Sequence, residues 1–330
     1  YIGASITIVN TLKRKDILDS IKETNTTILV AVPLFFEFIY NGILRKLEEQ
    51  PRSKKLLVKA LSAANKTTMD SLNLNLGKKL FSKIHEAIGR SIRIMISGGA
   101  PMKKEVLVGM RSLGFTIIEG YGLTETAPVV SMNTLKELRV GSVGRPLEGV
   151  EVKIINKNSN GIGEILVKGP IVMKGYYKNE ELTKKTIENG WLHTKDLGYI
   201  DDGGYLYIKG RSDNVIILPN GKNIYPEELE QHYGKSSLIK EICIIGKEEN
   251  NAKQLHAFII PDREELNRHG IEDAAKSIKN EVQKYSSQLP QYKRIYSYEL
   301  AEENSLPKTS TLKFKRNEII KNLSSTKDPH

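Results

Sequence analysis

The 330-residue chain has little cysteine and tryptophan and no long apolar run. Its single cysteine, Cys243, excludes a disulfide framework and any cysteine-based metal cluster, and suits a reducing compartment. It lies within the apolar segment EICIIG, so we predict a core residue. The longest apolar run, ILVAVPLFF, contains Pro33 and is far shorter than the ~20 residues of a membrane span. We interpret this run as a core strand that leads into a helix.

Common catalytic motifs are also missing. The sequence contains no Walker A loop, HExxH, GxSxG or dinucleotide-binding fingerprint, and no internal repeat. HEAIG at His85 resembles half of a zinc site without its second histidine, so we interpret His85 as a surface or helix-packing residue. The chain opens at Tyr1 without a signal peptide, and we expect it to be cut from a longer protein.

Basic residues are in excess, with 50 Lys and Arg against 39 Asp and Glu, a formal charge of +11. This excess is compatible with nucleic acid, an anionic membrane surface, or polyanionic small molecules such as ATP and coenzyme A. The basic residues are spread along the chain without interleaved aromatics, so we do not expect a nucleic-acid partner. The length is enough for two or three domains.

Residues 1–140 alternate between strand-like and helix-like segments. ASITIV, TTILVAV and RIMISGGAP predict strands, the second of them buried. ILDSIKET, a long basic region over residues 41–89 and MKKEVLVGMRSLG predict helices. Such alternation is typical of an α/β fold with a largely parallel sheet, whose ligands bind beyond the carboxyl ends of the strands.

The pattern changes after residue 140. Over residues 141–212, short β-like segments separated by Asn-Gly and Gly-Gly turns predict a small antiparallel barrel or sheet. From residue 213, PEELEQHY and residues 271–289 predict helices, and EICIIG and QLHAFIIP predict strands. We therefore expect a compact α+β domain there, with its boundary within RSDN.

The segment IEGYGLTETAP combines three features suited to a nucleotide. Gly122 lets the backbone approach a ligand closely, and the ring of Tyr121 can stack on a base. Thr124 supplies a hydroxyl for a phosphate oxygen and Glu125 a carboxylate for Mg²⁺. The alternative is an ordinary strand-to-helix turn in which Thr124 begins the helix. Since ISGGAP also ends a predicted strand, the two loops together favour a site.

Residues further along the chain could also bind a ligand or serve as a pivot. In WLHTKDLGYID, Asp196 could accept hydrogen bonds from the two hydroxyls of a ribose or could be a turn aspartate. Arg211 could donate to the same sugar or form a salt bridge, and Asp213 is a pivot or a helix cap. Near the C-terminal end, LPKTSTLKFKR carries several lysines, most of which we interpret as a solvated basic face.

Taken in order, ISGGAP, GYGLTETAP, GEILVKGPIVMKGYY, WLHTKDLGYID, GRSDNVIILPNGKNIYPEELE and LPKTSTLKFKR resemble the motifs of AMP-forming adenylate-forming enzymes. Within that superfamily the chain is most similar to bacterial long-chain fatty acid–CoA ligases. The resemblance implies an α/β adenylate-forming fold. Residues 1–140 would belong to the large domain, 141–212 to its barrel-like subdomain, and 213–330 to a mobile C-terminal domain.

The resemblance also implies a reaction in two steps. A fatty acid carboxylate attacks the α-phosphate of Mg²⁺-bound ATP to give acyl-AMP, and coenzyme A then displaces AMP. The expected partners are these small molecules. We expect a cytoplasmic protein, with peripheral contact at the inner face of the membrane as an additional possibility.

Roles are implied for particular residues on the same basis. The adenine would be bordered by Gly99, Ala100 and Pro101, Tyr121 would stack on it, and Gly122 would also belong to the nucleotide site. Thr124 would bind the α-phosphate and Glu125 the Mg²⁺. The ribose would be bound by Asp196, assisted by Arg211. Lys313 would stabilise charge in the adenylation step. Asp213 would be the hinge of the C-terminal domain, whose rotation presents the Gly221 loop to the pantetheine tunnel.

The sequence departs from the family pattern in three respects. Lys195 and Leu312 stand where the family usually has Gly, and the Gly/Ser/Thr-rich phosphate loop is absent. We therefore expect that this chain alone is not competent for turnover. The alternatives are another adenylate-forming ligase, acting on medium-chain or aryl acids or on a carrier protein, and a non-catalytic interaction protein on the same fold.

Overall fold

The computed structural model describes residues 3–10, 13–72, 74–249, 252–309 and 313–325. The chain divides into two compact units. Unit 1 comprises residues 1–152, 167–192 and 200–207, and unit 2 comprises residues 153–166, 193–199 and 208–330.

The described residues form α-helices and β-strands in an alternating order. The helices are α1 Arg14–Glu23, α2 Pro33–Glu48, α3 Arg52–Leu72, α4 Gly77–Leu80, α5 Ser82–Ile88, α6 Lys104–Ser112, α7 Glu180–Thr186, α8 Pro226–Tyr233, α9 Arg263–Arg268, α10 Ala274–Ser286 and α11 Arg316–Ser325. The strands are β1 Ile28–Ala31, β2 Ile94–Ser97, β3 Ile117–Tyr121, β4 Ser131–Met132, β5 Arg145–Pro146, β6 Glu151–Ile155, β7 Gly163–Lys168, β8 Ile187–Glu188, β9 Trp191–Ile200, β10 Leu206–Arg211, β11 Ile216–Ile217, β12 Asn223–Ile224, β13 Ile239–Glu249, β14 Ala252–Pro261 and β15 Ser297–Leu300.

Unit 1 contains a five-stranded sheet in the order β1-β2-β3-β4-β5. The pairs β1–β2 and β2–β3 are parallel, whereas β4 pairs antiparallel with both neighbours. Buried side chains of β2, β3 and α6 share a core with those of α2, among them Phe36, Met95 and Ile117. The predicted parallel sheet and the strands TTILVAV and RIMIS are thus confirmed, as are the helices α1 and α6.

Two predictions at the start of the chain are wrong. Within ASITIV the structure has no strand, and Ile6 and Ile8 are 86% and 81% exposed. The segment has no strand partner among the described residues, so its alternating pattern buries nothing. β1 is present but not buried, with Ile28 51% and Val30 70% exposed, because it is the end strand of its sheet and has only β2 as a neighbour.

The transition from β1 to α2 follows the prediction for ILVAVPLFF. Pro33 occupies the first helical turn, where its missing N–H leaves no intrahelical hydrogen bond unmade. The basic region that follows is helical, as predicted, and is divided among α2, α3, α4 and α5.

A second sheet has the order β10-β9-β7-β6, with β8 paired antiparallel to β9. It covers most of the segment for which the sequence predicts a small β structure. The turn between β9 and β10 forms at the Asp-Asp-Gly-Gly sequence, where the Gly204 N–H donates to the Asp201 carbonyl at 2.8 Å.

Unit 2 contains the sheet β13-β14-β15, antiparallel between β13 and β14 and parallel between β14 and β15. Alternate residues of β13 enter different cores: Ile244 packs with residues of α8 and α10, and Cys243 with Ile319 of α11. Cys243 is fully buried, which confirms its prediction as a core residue. Burial raises the pKa of its thiol to about 12.

His85 is a packing residue, as interpreted from the sequence. It is buried, stacks on Phe115 with ring centroids 4.1 Å apart, and its Nε2 lies 2.9 Å from the Leu113 carbonyl oxygen. Burial lowers the pKa of His85, which favours the neutral imidazole. Among the described residues, no helix is both long and apolar enough to cross a membrane.

Candidate functional site

Two loops of unit 1 leave the sheet at the same edge. β2 and β3 are parallel, and Ser97, the last residue of β2, is in register with Glu119. The following residues Gly99, Ala100 and Pro101 are exposed or partly exposed, and Gly99 has φ +81°, a conformation that favours glycine. The register therefore places the ISGGAP and GYGLTET loops side by side, as expected for a ligand site beyond parallel strands.

The GYGLTET loop is a tight turn with little room. A Cβ atom at Gly122 would lie 1.7 Å from the Pro128 carbonyl oxygen, so only glycine fits there. Buried Thr126 holds the turn together: its Oγ1 accepts from the Leu123 N–H at 3.0 Å and lies 3.1 Å from the Pro128 carbonyl oxygen. Sequence reasoning missed Thr126, because its hydroxyl reaches Leu123 and Pro128 only once the turn between them has formed.

Thr124 begins a 3-10 turn, Thr124–Thr126, rather than an α-helix, and it is exposed. Glu125 is anchored from a distant part of unit 1. Its Oε1 accepts from the Tyr176 hydroxyl at 2.9 Å, and its carbonyl accepts from the Met173 N–H at 2.8 Å. Tyr176 lies at the end of GEILVKGPIVMKGYY, one of the segments that resemble the family's motifs. Its contact with Glu125, 51 residues away, was not predicted.

The residues at this loop fit Mg²⁺ bound together with a nucleotide. The described part of the chain has no group of three or more His, Cys, Asp or Glu side chains that could hold a metal by itself. Mg²⁺ is usually held by one or two carboxylates, with substrate phosphates and water completing its shell. The Glu125 carboxylate, oriented by Tyr176, is suited to that limited contribution.

Glu119 introduces a buried carboxyl group beside both loops. The Glu119 Oε2 atom is buried and has no hydrogen-bond partner among the described residues. The Ser97 Oγ atom is likewise buried and without such a partner. Burial raises the pKa of Glu119 to about 7, and a hydrogen bond from the Met102 backbone opposes the rise. Near neutral pH this carboxyl is therefore protonated in a substantial fraction of molecules.

In unit 2 the structure brings Asp196 and Arg211 together. Arg211 Nη1 lies 3.0 Å from Asp196 Oδ1, and the two side chains are 40% and 10% exposed. Thr194 positions the strand beneath them: its Oγ1 donates to the Ile165 carbonyl at 2.7 Å and accepts from the Asp196 N–H at 3.1 Å. The salt-bridge alternative for Arg211 is thus observed, and a ribose contact stays a prediction.

Lys195 has φ +59°, in the left-handed region. This conformation explains why glycine would suit the position, since a side chain there costs about 1 kcal/mol or more. The Lys195 Nζ lies 3.5 Å from Asp213 Oδ2, and Arg211 Nη2 lies 3.8 Å from the same oxygen. Asp213 is within the 3-10 turn Ser212–Asn214, so it is not a helix cap, and its role as a hinge stays a prediction.

The two remaining predicted residues lie on hairpins of unit 2. Gly221, with φ +75°, is exposed at the tip between β11 and β12. Lys313 is exposed and follows a segment that includes Leu312, which lies outside the described residues. An antiparallel bridge pairs Lys308 with Phe314, so the described residues 307–309 and 313–315 are the two arms of what we call the Lys313 hairpin.

The predicted site residues are thus distributed over both units. Unit 1 holds those assigned to adenine, phosphate and metal: Gly99, Ala100, Pro101, Tyr121, Gly122, Thr124 and Glu125. Unit 2 holds those assigned to ribose, hinge, pantetheine and charge stabilisation: Asp196, Arg211, Asp213, Gly221 and Lys313. Their individual roles stay predictions.

The mixed α/β architecture, with its parallel strands and small additional sheets, is the adenylate-forming enzyme fold. Residues 1–177 match the family model of the AMP-binding enzyme, and residues 213–326 match that of the AMP-binding enzyme C-terminal domain. The chain belongs to the AMP-binding enzyme family.

Curated relatives include ligases of long-chain fatty acids. The chain is 30% identical over 328 residues to a chloroplastic long-chain-fatty-acid–[acyl-carrier-protein] ligase, AEE15, of Arabidopsis thaliana, with 82% of this chain and 45% of the plant protein covered. It is 30% identical over 253 residues to the long-chain-fatty-acid–CoA ligase FadD15 of Mycobacterium bovis, with 74% and 41% covered.

One solved structure is similar to this chain in fold. O-succinylbenzoate coenzyme A synthetase from Bacillus subtilis, in complex with AMP, superposes with a TM-score of 0.66 at 26% identity and covers 97% of this chain and 54% of its own. The chain therefore spans about half the length of the proteins that it matches.

Lys195→Gly should raise the free energy of unfolding by up to about 1 kcal/mol, because it relieves the left-handed conformation of a residue with a side chain. The exposed ion pair with Asp213 that it removes contributes little. Lys195→Ala is the matched control, since it removes the same ion pair and keeps the strain. Urea unfolding of both variants measures the difference, and equal stability of the two would contradict this account.

Glu119→Gln should change how stability depends on pH. In the folded chain the pKa of Glu119 is raised from 4.5 to about 7, so the native state holds this proton more tightly than the unfolded state. Stability of the unaltered chain should fall as pH rises from about 4.5 to 7, by about 1–3 kcal/mol relative to the glutamine variant. Below that range the difference should stay constant.

Urea unfolding at a series of pH values measures this effect. Glu148→Gln, which alters an exposed carboxyl of the same unit, is the control and should leave the profile parallel to that of the unaltered chain. A Glu119→Gln profile that is also parallel throughout would show that Glu119 titrates as an ordinary carboxyl.

Proposed function

We propose that this chain is part of an AMP-forming acid–thiol ligase for long-chain fatty acids. The acid is activated with ATP to acyl-AMP and is then transferred to the thiol of coenzyme A. The chain by itself binds adenylates through its adenine and ribose residues. Turnover requires the intact protein, because the family's phosphate loop does not occur in these residues.

The observation that carries the proposal is the arrangement of Thr124 and Glu125. An exposed hydroxyl and a carboxylate held by the Tyr176 hydroxyl at 2.9 Å stand on one short turn beyond a parallel strand. Such a turn offers a donor for a phosphate oxygen and an oxygen ligand for Mg²⁺ at adjacent positions. Tyr121, at the end of the same strand, supplies a flat ring for the base.

In the first step, a carboxylate oxygen of the acid bonds to the α-phosphorus of ATP as the bond to the pyrophosphate oxygen breaks. Thr124 donates to the α-phosphate, and Glu125 would hold Mg²⁺, which neutralises phosphate charge when it is bound. Asp196, oriented by Arg211, accepts from the ribose hydroxyls. The ammonium group of Lys313 stabilises the negative charge that develops between acid and phosphate.

In the second step, the thiol of coenzyme A releases its proton to solvent, its sulfur bonds to the acyl carbon, and AMP leaves with the electron pair of the broken carbon–oxygen bond. Asp213 serves as the pivot of the C-terminal domain between the steps. Gly221, exposed at a hairpin tip without a side chain, leaves space for a pantetheine arm.

The choice of a long-chain fatty acid is supported by the relatives in Arabidopsis thaliana and Mycobacterium bovis. A reaction among fatty acid, ATP and coenzyme A suits a cytoplasmic protein. The net charge of +11 favours peripheral contact with an anionic membrane surface, where fatty acids are found.

A second candidate has the phosphopantetheine thiol of an acyl carrier protein as the acceptor. It is favoured by the plant relative, an acyl-carrier-protein ligase that aligns over 82% of this chain. The acceptor distinguishes the two: the carrier-protein ligase forms acyl-carrier protein and leaves coenzyme A unacylated.

Asp196→Ala should weaken the binding of a non-hydrolysable palmitoyl-AMP analogue to this chain by about 10- to 100-fold, because two hydrogen bonds to a charged acceptor are lost. AMP should lose a similar factor. Isothermal titration calorimetry measures both affinities.

Asp202→Ala, an exposed carboxylate in the turn after β9, is the control and should bind as the unaltered chain does. Equal affinity of the Asp196→Ala variant and the unaltered chain would remove Asp196 from the ribose site. Failure of the unaltered chain to bind either compound would contradict the proposal that this chain holds an adenylate site.

Lys313→Ala in the intact protein should lower kcat of palmitate-dependent ATP–pyrophosphate exchange by on the order of 10²- to 10³-fold, with the KM for ATP nearly unchanged, because the lysine acts on charge that develops in the transition state. Lys279→Ala, which alters an exposed lysine of α10, is the control. Absence of exchange with every acid tried, in the unaltered protein, would exclude the ligase function.

A further inference from the structure

The backbone around Lys313 is held by its own hairpin. The Thr309 N–H donates to the Lys313 carbonyl at 2.8 Å, and the Lys313 N–H donates to Thr309 Oγ1 at 3.1 Å. The Lys315 N–H donates to the Pro307 carbonyl at 2.9 Å. A hairpin this short has little core of its own, so its placement depends on what anchors its two arms.

Arg316 anchors the second arm. Its Nη2 donates to both carboxylate oxygens of Glu230, at 2.6 and 2.5 Å, and its Nη1 donates to Glu227 Oε1 at 3.3 Å. Its Nε donates to the Ile244 carbonyl at 3.3 Å. Arg316 follows Lys313 by three residues, so its guanidinium joins this arm of the hairpin to α8 and to β13.

Lys308 anchors the first arm through an ion pair with Glu241 of β13, in which the side chains are 13% and 23% exposed. Arg316, Glu230 and Glu227 are similarly enclosed, at 11%, 16% and 21%. These pairs are shielded from water, so the attraction within each pair is screened less than in a surface ion pair, and losing one partner would leave an enclosed charge uncompensated.

The Arg316 cluster consists of Arg316, Glu227 and Glu230, and the charged form of each side chain depends on the charges of the others. Burial opposes the charge of Arg316, but the carboxylates of Glu230 and Glu227 outweigh it and raise the pKa of the guanidinium. Burial also raises the pKa of Glu230, and the charge of Arg316 opposes that rise. Arginine is suited to this place because its planar fork satisfies a carboxylate and a second acceptor at once.

Glu227 belongs to a second contact as well. Its Oε1 also accepts from Asn214 Nδ2 at 2.6 Å, and Asn214 is the last residue of the turn that contains Asp213. The backbone before the turn also lies against Glu227, since a Cβ atom added at Gly210 would be only 2.7 Å from Glu227 Oε2. A chain of direct contacts therefore runs from the Asp213 turn through Glu227 and Arg316 to the Lys313 hairpin.

We propose that Arg316 is the positioning residue for Lys313, and that Glu227 makes the placement of the Lys313 hairpin depend on the conformation of the Ser212–Asn214 turn. The inference rests on the proposed function of Lys313. A lysine that stabilises transition-state charge must be placed within about 1 Å, and its long side chain gains that precision only from a fixed backbone. A change at the turn alters the hydrogen bond on Glu227 and thereby the anchor of the hairpin.

Amide hydrogen exchange in this chain tests the proposal without any ligand. The Thr309 and Lys315 amides are protected by the hairpin's own hydrogen bonds. Arg316→Lys keeps the charge and removes the bidentate fork, and should speed their exchange by about tenfold or more. Asn214→Ala should also speed it, although Asn214 lies in the Ser212–Asn214 turn and not in the hairpin.

Arg263→Lys is the matched control. Arg263 forms a comparable bidentate pair with Glu302, at 2.8 and 2.7 Å, but both side chains are 74% exposed and outside the chain of contacts. It should leave the hairpin amides unchanged. Unchanged exchange in Arg316→Lys would overturn the positioning role, and unchanged exchange in Asn214→Ala would overturn the coupling to the turn.

Turnover in the intact protein separates positioning from stability. Arg316→Lys should lower kcat of ATP–pyrophosphate exchange by about tenfold or more with an unchanged KM for ATP, and Arg263→Lys should change neither. A variant that unfolds at lower temperature but keeps both kcat and hairpin protection would show that Arg316 only stabilises the unit. If the unaltered protein shows no exchange, the proposed function fails, and the amide measurements still decide whether the contacts couple.

Discussion

The parallel pairing of β2 with β3 is the constraint on which the candidate site of unit 1 depends. Met95 and Ile117 are paired and fully buried, and a slip of β3 by one residue against β2 would turn Ile117 toward the opposite face of the sheet. With the register set by that core, Ser97 and Glu119 end up opposite each other at the carboxyl edge. The two glycine-containing loops then leave the sheet together, and buried Thr126 shapes the second into a turn that exposes Thr124.

Unit 2 is organised by a different requirement, the neutralisation of enclosed charge. Asp196 is largely buried and is compensated by Arg211, and Glu230 is compensated by Arg316. A buried carboxylate without its cation is strongly unfavourable, so each pair also determines where its backbone lies. In this way the same ion pairs that stabilise the unit orient the residues to which we assign functions, Asp196 directly and Lys313 through its hairpin.

Sequence reasoning succeeded where the signal is local. Three elements are specified through nearby residues: α2 by Pro33 at its first turn, β10 by the Gly-Gly turn before it, and β13 by the apolar segment EICIIG. It failed for ASITIV, whose alternating pattern has no partner strand among the described residues. The contacts of Tyr176 and Arg316 were missed because each joins segments that local patterns do not relate.

The amino-acid sequence by itself determined the family, the order of the motifs and the identity of the groups available for chemistry, because these depend on residue type and spacing alone. Tertiary structure decided how those groups behave. It pairs Arg211 with Asp196, places Lys195 in a left-handed conformation and encloses Glu119 so that its pKa rises to about 7. The ion pair and the raised pKa arise from the distance between groups and from their exclusion from water, and both are set only when separate segments of the chain pack together.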